Sequence, residues 1–272
     1  MKITHQIYLV SDSTGETIDR IFTALKAQFN SFNYKTHQFA FTRTKNQINE
    51  IIKNSSNNKN SLILYTLVDG DLSEHLVSEA EKLKIPCFGV LGELIMNFSK
   101  ILKQKALNIP SRQHKLNEEY YDRVEAIQFT MRHDDGNDIK DIDESDIIIL
   151  GVSRTSKTPT SIYLANRGYK TSNIPLINKN SIPENLKENK KKICIVGLTT
   201  DPERLIDLRK NRLRTLKENE KTDYTDIKKI TGEVLDAKKT FKKHKWPVID
   251  VTRKSVEETA ASIIRLYEIN KK

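Results

Sequence analysis

Residues 146–160 read DIIILGVSRTSKTPT, and this stretch decides the fold. Ile147 to Leu150 form an unbroken apolar run, the pattern of a strand covered on both faces. Gly151 ends the run, a polar turn follows, and a helix is expected over 158–167. The segment GVSRTSKT, from Gly151 to Thr158, is close to the phosphate-binding pattern G-x-x-x-x-G-K-[ST]. The spacing has a chemical reason. Backbone N–H groups of Gly151, Val152, Ser153, Arg154, Thr155 and Ser156, with the helix N-terminus behind them, form a cradle for phosphate oxygens. Lys157 brings an ammonium to the terminal phosphate, and the Thr158 hydroxyl is the candidate Mg²⁺ ligand. Pro159 falls in the first helical turn, where no N–H partner is lost. Ser156 stands where the generic pattern has its second glycine, and Arg154 adds a charge that the pattern lacks.

Outward from this stretch, short apolar runs alternate with amphipathic ones. Strands are expected over 6–10, 37–41, 61–68 and 86–91, then over 146–150, 171–175, 192–198 and 247–251. Helices are expected over 16–29, 45–53, 72–83, from 92 to about 103, and over 117–131, 201–213, 226–243 and 256–267. Successive βα units imply a parallel sheet. The alternation breaks at 106–114, and residues 133–144 (HDDGNDIKDIDE) read as an acidic loop. The expected fold class is α/β. A parallel-sheet N-terminal domain spans 1–105, and a bridging segment plus a P-loop kinase-like α/β domain spans 106–272. No internal repeat is visible beyond the βα period.

The chain has 272 residues, room for two domains, and a net charge of +10 that is unevenly spread. Residues 1–145 carry 18 basic and 20 acidic side chains, whereas 146–272 carry 28 and 16. Two cysteines, Cys87 and Cys194, exclude a disulfide framework and a cysteine-based zinc site. Both lie in apolar runs and read as buried free thiols. Neither a basic-then-apolar leader nor an apolar run near 18 residues occurs, so a cytoplasmic location without a membrane span is expected.

GVSRTSKTP at 151–159 stands with YLVSDSTGET at 8–17, FTMRHDDG at 129–136 and IDVTRKSVEETA at 249–260. With these segments the chain resembles the bacterial regulatory proteins of pyruvate, phosphate dikinase and of phosphoenolpyruvate synthase, over almost its whole length. The resemblance implies a bifunctional enzyme. It would phosphorylate a threonine of the dikinase with ADP as donor, and remove that phosphate with inorganic phosphate, releasing pyrophosphate. It implies nucleotide binding by Gly151 through Thr158, and Ser156 is the family's own form. The target could be either of the two enzymes. A homodimer is plausible for a regulator of a dimeric enzyme.

Other clusters carry two readings each. Ser13 and Glu16 stand at capping-box spacing, while SDSTGE could also bind an anion at a helix start. Asp134 and Asp135 are either a solvated acidic turn or the site's carboxylates. In the second case one accepts the target threonine's proton or joins Thr158 on Mg²⁺. With Lys157 and Arg154 they form the candidate catalytic set. Arg204, Arg209, Arg212 and Arg214 are either phosphate clamps or a solvated basic helix face. The Asp250–Thr252–Arg253 turn, which leads to Ser255 and Glu258, lies near the ligand or simply caps a helix. The lysine runs at 190–192 and 238–245 bring nucleic acid into consideration, but aromatic interleaving is sparse, so it is not an expected partner. Besides the kinase, a non-enzymatic nucleotide switch and a nucleic-acid-binding protein remain as readings.

Overall fold

The fold is described from a computed structural model covering residues 3–137, 140–177, 181–188, 193–218 and 222–271. The lysine run at 190–192 lies outside the described residues. Two compact units divide the chain, residues 1–115 and 116–272.

The first unit contains β1 (Thr4–Ser11), α1 (Glu16–Lys26), β2 (Asn33–Phe39), α2 (Lys45–Ser56), β3 (Ser61–Thr66), α3 (Gly70–Lys82), β4 (Cys87–Gly89) and α4 (Gly92–Leu102). Its four strands are parallel, in the order β2-β1-β3-β4. Side chains alternate across each strand. Tyr8 and Val10 therefore join Ile48, Ile51 and Leu76 in one core, beneath α2 and α3. Ile7 and Leu9 join Ile18 and Phe22 of α1 in the other. The opposed faces follow from right-handed crossovers, because β1→β2 runs one way along the sheet and the next two connections run the other.

The second unit contains α5 (Glu118–Arg132), β5 (Ile147–Gly151), α6 (Lys157–Ala165), β6 (Thr171–Pro175), α7 (Glu184–Glu188), β7 (Cys194–Thr199), α8 (Pro202–Leu216), α9 (Ile227–Lys243), β8 (Val248–Asp250) and α10 (Val256–Lys271). Its strands are also parallel, in the order β6-β5-β7-β8. The two sheets thus share one strand order, a duplication that the residues do not display. Ile148 and Leu150 face Leu205, Ile230 and Phe241 on one side, while Ile147 and Ile149 face Leu164, Ala260 and Ile263 on the other. At Gly197 the Phe241 ring lies where a Cβ would stand, 2.6 Å away, so only glycine lets α9 seat on β7.

Helix starts are chemically explicit. Thr44 and Gln47 form a capping box, and Asp69, Asn117, Asp201 and Asp226 accept N–H bonds at four other starts. The Ser13–Glu16 box does not form. Gly15 occupies the cap with φ 85°, a conformation that glycine adopts freely, and no side chain caps α1. Where a loop is expected over 133–144, the described residues form 3₁₀ turns at Asp134–Gly136 and Ile142–Glu144, and Ile142 is buried. Cys194 is buried, as expected, but Cys87 is only half-buried. Phe241 and Trp246, near the second lysine run, pack into or against the core and offer no stacking platform. No helix among the described residues is long and apolar enough to cross a membrane.

Candidate active site

β5 is buried along its whole length and delivers its last residue, Gly151, to the edge of the sheet. A Cβ there would stand 2.6 Å from Thr155 Oγ1 and 3.0 Å from the Leu198 carbonyl, so the turn requires glycine. Thr155 Oγ1 donates to the Val152 carbonyl at 2.9 Å and closes the loop on itself. Arg154 and Ser156 both sit in the left-handed region, at φ 72° and 60°. Ser156 therefore takes the backbone geometry for which the generic pattern keeps a glycine. α6 starts at Lys157 with no side-chain cap, which leaves its first N–H groups to a ligand.

Lys157 is buried, and its Nζ donates to the Val152 carbonyl at 3.2 Å. Burial pushes its ammonium down to about 8, against the raising influence of Asp135 and Asp134. Arg154 and Arg209 push it down further. Thr158 Oγ1 donates to Asp134 Oδ1 at 2.9 Å, so the acidic turn meets the loop–helix junction. Asp134 is thus no solvated turn residue. It is half-buried and engaged, whereas Asp135 is exposed to the cleft. His133 caps α5, is buried, donates Nδ1–H to the Phe129 carbonyl at 2.8 Å and stacks on the Phe129 ring.

The cleft has a volume of about 680 Å³, and its walls include Asp135, Ser153, Arg154, Lys157, Thr158 and Arg212. The arginines expected as one group separate. Arg212 faces the cleft, and Arg204 is absent from its lining. Arg209 is neither clamp nor solvated. It is 1% exposed, pairs with Glu233 at 2.6 Å, donates to the Tyr224 carbonyl at 3.1 Å and reaches the Ser153 carbonyl at 3.5 Å. It braces the loop from behind. Tyr224 OH lies 3.1 Å from Ser153 Oγ on the same side. Tyr224 and Glu233 gave no signal in the sequence, because only the fold brings them to the loop.

Thr158 Oγ1 and the Asp134 carboxylate are adjacent hard oxygen donors. They fit Mg²⁺, which takes few protein ligands and completes its shell with phosphate and water. No cluster of three or more His, Cys, Asp or Glu that could hold a metal occurs among the described residues. The Asp250 turn caps instead of facing the cleft. Asp250 accepts from Thr252, and Ser255 and Glu258 form the box that starts α10. In the first unit Asp12 is buried and accepts the Val68 N–H at 2.7 Å, and burial raises its carboxyl above the ordinary value. Ser13 accepts from Ser111 at 3.1 Å beside a 150 Å³ cavity.

A parallel sheet whose central strand delivers a phosphate-type loop and a lysine to a cleft that Asp135 lines, with Asp134 bonded to the loop–helix junction beside it, has the architecture of an α/β phosphotransferase. The comparison with known proteins agrees. Residues 7–264 match the kinase/pyrophosphorylase family, and the chain belongs to it. A Pelagibacter ubique protein named as a pyruvate, phosphate dikinase regulatory protein is 65% identical over 100% of this chain and 99% of its own. A protein of the same name from Erythrobacter litoralis is 46% identical over 98% of this chain and 95% of its own.

Proposed function

We propose that this enzyme phosphorylates a threonine of pyruvate, phosphate dikinase with ADP as donor, and removes that phosphate with inorganic phosphate. Phosphoenolpyruvate synthase is the alternative target. Both directions use one cytoplasmic, P-loop active site. The observation that carries the reading is the cleft itself, where Lys157 and Thr158 on one side meet the Asp134–Asp135 turn on the other.

In the phosphorylating direction the loop N–H groups of Gly151–Ser156 and the Lys157 ammonium hold the ADP phosphates, with Arg154 and Arg212 at the rim. Asp135 takes the threonine proton as the threonine oxygen bonds the β-phosphorus. The bond from that phosphorus to the bridging oxygen breaks, and AMP leaves. In the other direction an oxygen of inorganic phosphate bonds the phosphothreonine phosphorus. The phosphorus–threonine oxygen bond breaks, Asp135 passes a proton from the attacking hydrogen phosphate to the threonine oxygen, and pyrophosphate leaves. Thr158 and Asp134 would hold a Mg²⁺ ion, which supplies charge neutralisation on the phosphate oxygens.

The test is incubation of the enzyme with ADP labelled at the β-phosphate, Mg²⁺ and either target. Label on a target threonine, released as pyrophosphate on adding inorganic phosphate, supports the reading. Nucleotide retained without transfer supports the nucleotide switch. Neither result, with tight and salt-sensitive nucleic-acid binding, supports the third class.

A further inference from the structure

Asn173 stands at the centre of β6 and is fully buried. A buried primary amide must satisfy two N–H groups and a carbonyl oxygen. Asn173 satisfies them largely with the acidic turn. Its Nδ2 donates to Asp134 Oδ1 at 2.5 Å and to Ser161 Oγ at 3.2 Å, and its Oδ1 accepts the Asp135 N–H at 3.1 Å. Its own backbone N–H donates to the His133 carbonyl at 3.2 Å. Three consecutive residues, 133 to 135, are therefore stitched to one residue of the sheet. The amide's direction is fixed by its neighbours, since a backbone N–H only donates and a carboxylate only accepts.

The stitching has a purpose at Asp135. That residue is held at φ 51°, a left-handed conformation that is unfavourable for a side chain with a Cβ. A turn of this kind persists only where its surroundings fix it. Asn173 supplies the fixing bond at Asp135 itself, and a second bond to the neighbouring carboxylate. Ser161, which donates to the Thr158 carbonyl at 2.9 Å, extends the link to the first turn of α6. Asn173 is absent from the cleft lining, so whatever it does for the reaction it does through the turn.

We infer that Asn173 is a positioning residue for Asp135, holding that carboxylate at the distance and direction from which it exchanges a proton with threonine. The inference rests on the phosphoryl-transfer reading of the cleft. Aspartate at this position would keep an acceptor for the Asp135 N–H but lose the donors and set a second carboxylate against Asp134. Serine would be too short to reach both partners.

The experiment measures threonine phosphorylation by the full chain carrying Asn173→Asp or Asn173→Ser, each alone and combined with Asp135→Asn. A misplacement of about 1 Å costs up to roughly 100-fold in turnover. The expected result is a 10- to 100-fold fall in kcat, with the KM for ADP within about twofold, because the phosphate loop keeps its contacts. At saturating Mg²⁺, where the disturbance of Asp134 no longer limits the rate, the same substitutions in the Asp135→Asn background should cost less than about threefold, because the group they misplace is already gone. Unchanged kcat would overturn the inference. So would an equal loss in both backgrounds, a KM that rises in step with the kcat loss, or failure of both single variants to fold by circular dichroism, which would make Asn173 a core residue only. Normal turnover in Asp135→Asn alone would instead sink the proton-acceptor reading on which the inference stands.

Discussion

Lys157 is a side chain on which stability and chemistry pull in opposite directions. Its folded value of about 8 lies below the ordinary lysine value of 10.5, with burial as the main cause. Above the folded value the native chain has released a proton that the unfolded chain still holds. Stability therefore rises with pH between about 8 and 10.5, and below that window the buried charge costs about 3 kcal/mol. Lys157→Met should raise the melting temperature at pH 7 and flatten its dependence on pH across the window, as read by calorimetry. The same variant should lose both directions of transfer by about 10²–10³, the worth of one preorganised charge contact. Near-normal turnover in either direction would remove the lysine from the phosphate site. The two aspartates should separate in a Mg²⁺ titration. Asp134→Asn weakens the partner of Thr158 and should raise the Mg²⁺ concentration needed for half-maximal rate. Asp135→Asn should lower kcat by about 10²–10⁴ at every Mg²⁺ concentration. The assignment of roles fails if added Mg²⁺ rescues Asp135→Asn.

At the level of elements, the apolar runs marked both sheets, and GVSRTSKT marked the loop, because strand burial and phosphate geometry each impose a local pattern. What escaped was non-local. Asn173 reads as one polar residue in a short strand, and its meaning comes from a turn 39 residues away. Arg209 looked like its neighbours on α8, yet it is the one turned inward onto Glu233. Ser13 had the spacing of a cap, but Gly15 in the left-handed region took that place and left no room for it. Gly197 belongs here too, as a glycine inside a strand that no turn explains. Its close contact predicts that Gly197→Ala pushes Phe241 off β7 and costs about 1–3 kcal/mol, lowering the melting temperature. An unchanged melting temperature would show that α9 yields at no cost.

Across the whole molecule, the shared strand order invites comparison of the helices that follow each last strand. α10 packs on α6 and β7, burying Ala260 and Ile263. The counterpart surface of the first unit, between α1 and β3, is an open apolar groove of about 920 Å³ walled by Phe22, Phe29, Leu64 and Phe88. α4, the helix after β4, buries none of its side chains, and Phe98 and Ile101 are 62% and 76% exposed. One chain thus holds an empty seat and an unseated helix. The homodimer expected of a regulator of a dimeric enzyme would place α4 of each copy in the groove of the other. Light scattering should give twice 31.4 kDa for the unaltered chain, and the single-chain mass for Phe98→Asp with Ile101→Asp. A single-chain mass for the unaltered protein would remove this arrangement.

The same open groove has a consequence during synthesis. The first unit has both of its cores within 115 residues, so it can condense while the ribosome is still translating residues 116–272. At roughly 5–20 residues per second, the nascent chain spends about 8–30 s making those residues, with groove and helix already formed. Neighbouring ribosomes on one messenger present the same pair of surfaces close together. A dimer built on these surfaces would then begin to assemble before residues 146–160 of either copy are made.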